Sequence, residues 1–229
     1  MQMKQENSVQ PKPDQGKEDA KKLPHNECIF LTHGYGAHWF VMSPMAWRLR
    51  RQGYQVVNWG YRSMWSGVER HAEKMQAKLE ALKANDHDRL HIVAHSMGNV
   101  VARLALQHEC PPKLGRIVML CPPNHGSHVA SLYAKLFGWL SPSLRDIRDT
   151  QDSLVNRLEE DLACPVDVGI IQANTDFVVK PESTRLACAK DYLMLSGFHS
   201  SVVTKRNTAE QVHHFLQNGS FQHAAEEPS

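Results

Sequence analysis

From residue 25 onward, short runs of consecutive apolar residues alternate with longer stretches whose apolar positions recur every three or four residues. The runs at 28–31, 54–59, 90–94, 116–121, 165–173 and 191–195 have the length of strands. Leu90, Ile92, Val93 and Ala94 in particular predict a buried strand, because such a run lies inside a sheet covered on both faces. Helical patterns lie between them. Val68, Ala72, Met75, Leu79 and Leu82 make one stripe of a helix over about 65–84, with charged residues on its other side. Pro44 opens a short helix that Gly53 ends, and Val100, Val101, Leu104 and Ala105 set another that runs to about 109. A last helix is expected from near Thr208, with Gln211 completing a capping box and Asn218-Gly219 as its stop. The alternation predicts an α/β fold: one domain over 25–220, about six mainly parallel strands, helices on both faces.

The section 122–163 is the least regular. Val129, Leu132, Tyr133, Leu136, Phe137, Trp139 and Leu140 surround one helix, and Leu154, Val155, Leu158 and Leu162 suggest a second. Two readings stand: a small cap over the strand ends, or an ordinary crossover helix packed on the sheet. Residues 1–24 are polar and charged, too poor in large apolar side chains to offset their ordering entropy, and read as a disordered tail. Residues 221–229 read as a frayed end.

Composition narrows the partners. A net charge of +2, evenly spread, does not argue for nucleic acid, and no apolar run is long enough to cross a bilayer. No apolar signal region precedes the domain, and the five cysteines (28, 110, 121, 164, 188) contain no Cys-x-x-Cys pair, so reduced thiols and a cytoplasmic protein are expected.

The chemistry centres on Ala94-His95-Ser96-Met97-Gly98, where a buried strand turns sharply into a helix. Small residues two positions either side let strand and helix backbones approach, and the serine hydroxyl is lifted above the sheet as in a nucleophile elbow. The competing reading is a serine that only caps the helix. The first strand runs into His33-Gly34-Tyr35-Gly36, whose glycines allow a backbone amide to turn inward. The amides of Tyr35 and Met97 are therefore the expected oxyanion donors. A serine also needs a base oriented by a carboxylate. Both should lie just past strand carboxyl ends, which points to Asp176 rather than Asp146, Asp149, Asp152, Asp167 or Asp191; His199, after the last strand, is the chosen base, with His125 and His128 as rivals whose loop also borders the site. The order Ser96, Asp176, His199 is that of the α/β-hydrolases. Trp39 and Phe40 would lie beside the oxyanion loop, either lining an acyl pocket or belonging to the core; with His95 they are the candidate substrate contacts.

Taken together, His33-Gly34-Tyr35-Gly36, Ala94-His95-Ser96-Met97-Gly98, Asp176 and His199 resemble the small bacterial lipases and esterases of the α/β-hydrolase superfamily. The Ala-His-Ser-Met-Gly elbow resembles the Bacillus-type minimal lipases in particular. The resemblance implies a six-stranded parallel sheet lacking the first two strands of the larger fold. It also implies hydrolysis of small-molecule or lipid carboxylic esters with no metal and no cofactor. Ala94 stands where the general motif has glycine, and the section 122–163 is longer and more aromatic than a minimal lipase needs. A thioesterase or acyltransferase on the same residues, or a binding protein on a hydrolase scaffold, are the alternatives.

Overall fold

The computed structural model describes residues 26–83, 85–137, 141–159 and 161–223. Six strands, β1 (Glu27–Thr32), β2 (Gln55–Trp59), β3 (Arg89–His95), β4 (Leu114–Leu120), β5 (Val168–Thr175) and β6 (Ala189–Phe198), form one sheet in the order β2-β1-β3-β4-β5-β6. Every pairing is parallel. The helices are α1 (Ser43–Arg51), α2 (Val68–Leu82), α3 (Met97–His108), α4 (His128–Phe137), α5 (Pro142–Asp146) and α6 (Arg206–Asn218).

Alternate residues of each strand serve opposite layers, as the pleat requires. Phe30, Ile92, Ala94, Met119 and Ile170 pack with α2 and α3 in one core. Ile29, Leu31, Val93, Val118 and Ile171 pack with Met45 and Leu49 of α1 and Val212 and Phe215 of α6 in the other. The apolar runs of the inner strands β1, β3, β4 and β5 are thus a direct consequence of two covered faces, whereas the edge strands β2 and β6 carry polar residues and are only partly buried. Strand order reverses between β1 and β3, so their loops diverge and leave a crevice at the carboxyl ends.

Several boundaries differ from expectation. Helix α2 begins at Val68, after Gly67 in extended backbone, and the amide of Val68 donates to Asp146 Oδ2 at 2.8 Å. Asp146 is therefore half-buried against a helix start, whereas Asp149 and Asp152 are exposed as expected. Helix α6 begins at Arg206 with Lys205 as its cap residue, so no capping box forms at Thr208. Gln211 instead exchanges two hydrogen bonds with the backbone of Gln222. That exchange, the buried ring of Phe221 and the 2.9 Å pair of His223 with Asp191 hold residues 221–223 in place, against the expected fraying from 221. Gly219 (φ 74°) closes α6 in the left-handed conformation, as Asn218-Gly219 predicted.

In the irregular section α4 forms, but the second expected helix does not. Leu154 and Val155 are buried from a three-residue 3-10 turn, Val155–Arg157, and the helix that does form is α5, which begins at Pro142. The buried guanidinium of Arg103 reaches across from α3 to donate to Glu159 O at 2.8 Å. Cys110 and Cys164 are joined in a disulfide with Cα atoms 5.6 Å apart, tying the chain after α3 to the approach to β5. This corrects the expectation of reduced thiols. The reducing compartment, argued from the cysteines, loses that support. The expected disordered tail, 1–24, lies outside the described residues.

Candidate active site

Ser96 occupies the corner between β3 and α3 with φ 52° and ψ −128°, a region that a non-glycine residue enters only when its surroundings hold it there. Three contacts hold it. Its amide donates to Leu120 O at 2.9 Å, and its carbonyl accepts from the Asn99 amide at 2.9 Å and from Asn99 Nδ2 at 3.0 Å. Asn99 Nδ2 also reaches Leu120 O at 3.3 Å, linking the elbow to the end of β4. Asn99 is fully buried and was not singled out from the sequence. Its signal was present: an amide residue on the first turn of an otherwise apolar helix face.

Small residues do permit close approach here, but between the elbow and the loop after β1 rather than between the elbow's own strand and helix. A Cβ on Gly34 would lie 2.7 Å from Ser96 Cβ, and one on Gly98 would lie 2.7 Å from His33 O. The loop after β1 therefore rests directly on the elbow. His33 fixes that loop. Tyr61 N–H donates to His33 Nε2 at 3.3 Å, so the proton sits on Nδ1, which donates to Gly34 O at 2.9 Å. In a trans peptide the C=O and N–H oppose each other, so the N–H of Tyr35 points away from His33. Burial keeps the His33 ring below its ordinary pKa and neutral. Met97 N–H is the first amide of α3, where no helical acceptor is available.

Asp176 and His199, from the loops after β5 and β6, converge on Ser96. Ser96 Oγ lies 2.9 Å from His199 Nε2, and His199 Nδ1 lies 2.7 Å from Asp176 Oδ2. Asp176 Oδ1 accepts from the amides of Val178 (2.8 Å) and Val179 (2.9 Å). Burial alone would raise the Asp176 carboxyl. The His199 bond, its charge and the two amides outweigh burial and hold it below the usual carboxylate range. His125 and His128, the rival bases, take no part in this chain of bonds.

His95 is placed otherwise than expected. It does not reach the cavity. Its Nε2 donates to His199 O at 3.0 Å and its ring lies 4.9 Å from that of His199. Complete burial pushes its pKa down to about 3, so it stays neutral beside the His199 imidazole. Trp39 and Phe40 also miss the cavity. They sit in a 3-10 turn, Trp39–Met42, with their rings largely exposed.

Ser96 and His199 form part of the wall of a cavity of about 620 Å³. Tyr35, Trp65, Val129, Tyr133, Leu144 and Ile147 supply much of the rest, and among the described residues the lining includes no Asp, Glu, Lys or Arg. The section 122–163 thus contributes α4 and α5 as walls over the serine. The roof is bonded to the loop after β2: Ser141 Oγ donates to Met64 O (3.0 Å), Ser143 Oγ to Ser66 O, and Asp146 accepts from Val68.

One further cluster adjoins the site. Cys121 Sγ, an Asp176 oxygen and a His199 ring nitrogen all lie within 4.8 Å of one another. Burial, then the Asp176 charge, pushes the thiol well above its ordinary pKa, so it remains protonated. Asp176 and His199 Nδ1 are committed to each other. The trio suits a hydrogen-bonded cluster better than a cation site, which would demand a thiolate.

Comparison with known proteins agrees with this architecture. The chain belongs to the α/β-hydrolases: the family profile described as Serine aminopeptidase, S33 (Hydrolase_4) matches residues 24–203. No curated protein matches in sequence. Among solved structures, the mature lipase BlEst2 of Bacillus licheniformis superposes with a TM-score of 0.67 at 16% identity, covering 86% of this chain and 93% of its own. A metagenomic carboxyl esterase, MGS0156, gives 0.65 at 16% identity over 78% of this chain and 66% of its own. The phospholipase PlaB of Legionella pneumophila gives 0.66 at 16% identity over 85% and 60%. At such identities the likeness is one of fold.

Proposed function

We propose that the chain is a serine hydrolase of carboxylic esters, working through Ser96, His199 and Asp176. The observation that carries the reading is the continuous hydrogen-bonded path from Ser96 Oγ through His199 to Asp176 beside an uncharged, largely apolar cavity. Ser96 Oγ attacks the ester carbonyl while His199 Nε2 takes its proton. Asp176 keeps the Nδ1–H tautomer in place and stabilises the imidazolium. The amides of Tyr35 and Met97 receive the oxyanion. His199 then protonates the leaving alcohol, and water repeats the sequence on the acyl-enzyme.

The cavity favours acyl groups over peptides with a free amino terminus. An ammonium group would need a carboxylate in the wall; the described lining residues include none, and Asp176 is turned into its bonds with His199. The test is a panel of p-nitrophenyl esters of rising acyl length, with thioester and amide analogues, on the wild-type chain and on Ser96→Ala. Ester turnover that falls on the order of a millionfold in Ser96→Ala is expected. His199→Ala should lose activity and His125→Ala should keep it. Equal rates for wild type and Ser96→Ala, or a Ser96 that no fluorophosphonate labels, would overturn the reading.

A further inference from the structure

The two edges of the sheet differ in kind. At the amino ends of the strands, charges are matched: Arg116 and Lys190 both bind Asp167 (3.1 and 2.9 Å), and His223 binds Asp191. At the carboxyl ends, large apolar side chains stand in solvent. Trp39 and Phe40 follow β1, Trp65 follows β2, Phe177 follows β5 and Phe198 ends β6; Tyr133 stands on α4 at the cavity wall. Trp65 is 76% exposed and Phe177 is 71% exposed. Among the described residues, only Trp47 and Met194 of the large exposed apolar side chains lie off these loops and α4.

Several of these side chains adjoin the site. Trp65 and Tyr133 line the cavity, and Trp39 shares a neighbouring surface depression with Trp65. Phe177 directly follows Asp176 and Phe198 directly precedes His199, and their rings stack 6.3 Å apart. A monomeric surface rarely exposes so many aromatic rings at one end of its sheet without a partner to cover them.

Charge on the same segments is mainly cationic. Residues 33–42, 60–67, 121–137, 174–180 and 196–205 contain a single carboxylate, Asp176, which is turned inward to His199. Arg62, Lys180 and Lys205 lie on them, and exposed Glu182, just beyond Lys180, is the opposing group. On the neighbouring section 141–159, Asp152 is paired with Arg148 at 3.1 Å, while exposed Asp149 keeps its charge as it accepts from Ser131. The rim is therefore aromatic with a fringe richer in cations than in carboxylates, the combination that favours an interface of acyl chains and anionic headgroups.

We propose that this rim docks the protein on the surface of a lipid assembly bearing anionic headgroups, with the cavity mouth facing the acyl layer. The inference extends the ester-hydrolase reading, since it places the serine where a lipid ester would leave its layer, but binding can be measured apart from turnover. The full chain carrying Ser96→Ala is floated with vesicles of phosphatidylcholine alone and of an equal mixture with phosphatidylglycerol. Flotation with the mixed vesicles, weaker flotation with phosphatidylcholine alone, and a blue shift of tryptophan emission are expected. Adding Phe40→Ser and Phe177→Ser should weaken partition by about tenfold or more, because each removes a ring that would leave water. In the Ser96-containing chain the same pair should leave thermal unfolding and hydrolysis of a short water-soluble ester unchanged. Absence of flotation with either vesicle overturns the proposal, as does flotation that the two serine substitutions do not weaken. Flotation without any ester turnover by the wild-type chain would uphold the docking surface and sink the chemistry instead.

Discussion

His95 Nε2 donates to the carbonyl oxygen of His199 across 3.0 Å, so the residue before the elbow serine holds the backbone of the proposed base. His95 touches neither cavity nor hydroxyl. Its ring packs 4.9 Å from the His199 ring, which leaves the base little freedom to turn. His95→Ala should lower kcat on a soluble ester about 10–100-fold, the scale of an ångström's misplacement, with KM little changed. His95→Gln, which can still donate to His199 O, should recover part of the loss. A change confined to KM would show that the side chain meets substrate after all.

Acid stability follows from the buried imidazoles. His33, His71 and His95 all have their pKa lowered by burial, His95 to about 3. Below about pH 6.5 the unfolded chain binds protons that the folded chain refuses, so stability is full above that pH and falls as the pH drops. His95 alone should remove about 2 kcal/mol between pH 6.5 and 5, at about 1.4 kcal/mol per unit. The depressed Asp176 adds to the loss only at lower pH, as it falls through its own folded-state pKa. Urea unfolding at pH 7 and pH 5 measures the difference, and equal stability at both would contradict the account.

Asn99→Ala removes two hydrogen bonds, one to Ser96 O and one to Leu120 O, but leaves each carbonyl a backbone donor. The expected cost is about 1–3 kcal/mol by chemical denaturation. Because the lost bonds hold the strained serine, kcat should fall more steeply than stability alone explains at temperatures where the variant is folded. A variant as stable and as active as wild type would mean that packing by itself fixes the elbow.

Thiol chemistry separates the five cysteines. In native, unreduced protein Cys188 is the partly accessible one of the three free thiols; Cys28 is buried with its thiol pushed up to about 11, and Cys121 is buried beside Asp176. One thiol should react with a disulfide reagent natively and three in denaturant. Replacing Cys110 and Cys164 by serine should cost up to about 4 kcal/mol, the chain-entropy value for a 54-residue loop. Five reactive thiols in denaturant would show that the bond does not form.

Much of this arrangement could be read from the chain because the elements near Ser96 are locally determined. An apolar run, a serine between small residues and a helical stripe constrain the backbone within about ten residues. The carboxyl ends of parallel strands then limit where partners of the serine can lie. What depends on direction or distance was not legible. Trp39 and Phe40 are neighbours of the loop after β1 in sequence, but the 3-10 turn they occupy leaves them exposed. Leu154, Val155, Leu158 and Leu162 carry helical spacing, yet Val155–Arg157 is a 3-10 turn in a section held by Arg103 near Glu159 and by the disulfide at Cys164. The pairing of Cys110 with Cys164 rests on a 5.6 Å approach of positions 54 apart, which no spacing rule foretells.

The serines of the roof carry a mechanical implication. Ser141 and Ser143 reach the carbonyls of Met64 and Ser66, and Asp146 grips the start of α2, so α5 and the turn after β2 form one stitched panel. A guest too bulky for the chamber cannot lift α5 by itself; it must shift Trp65 and its whole turn as well. Widening the chamber for larger guests would therefore begin by cutting those stitches, not by trimming the walls.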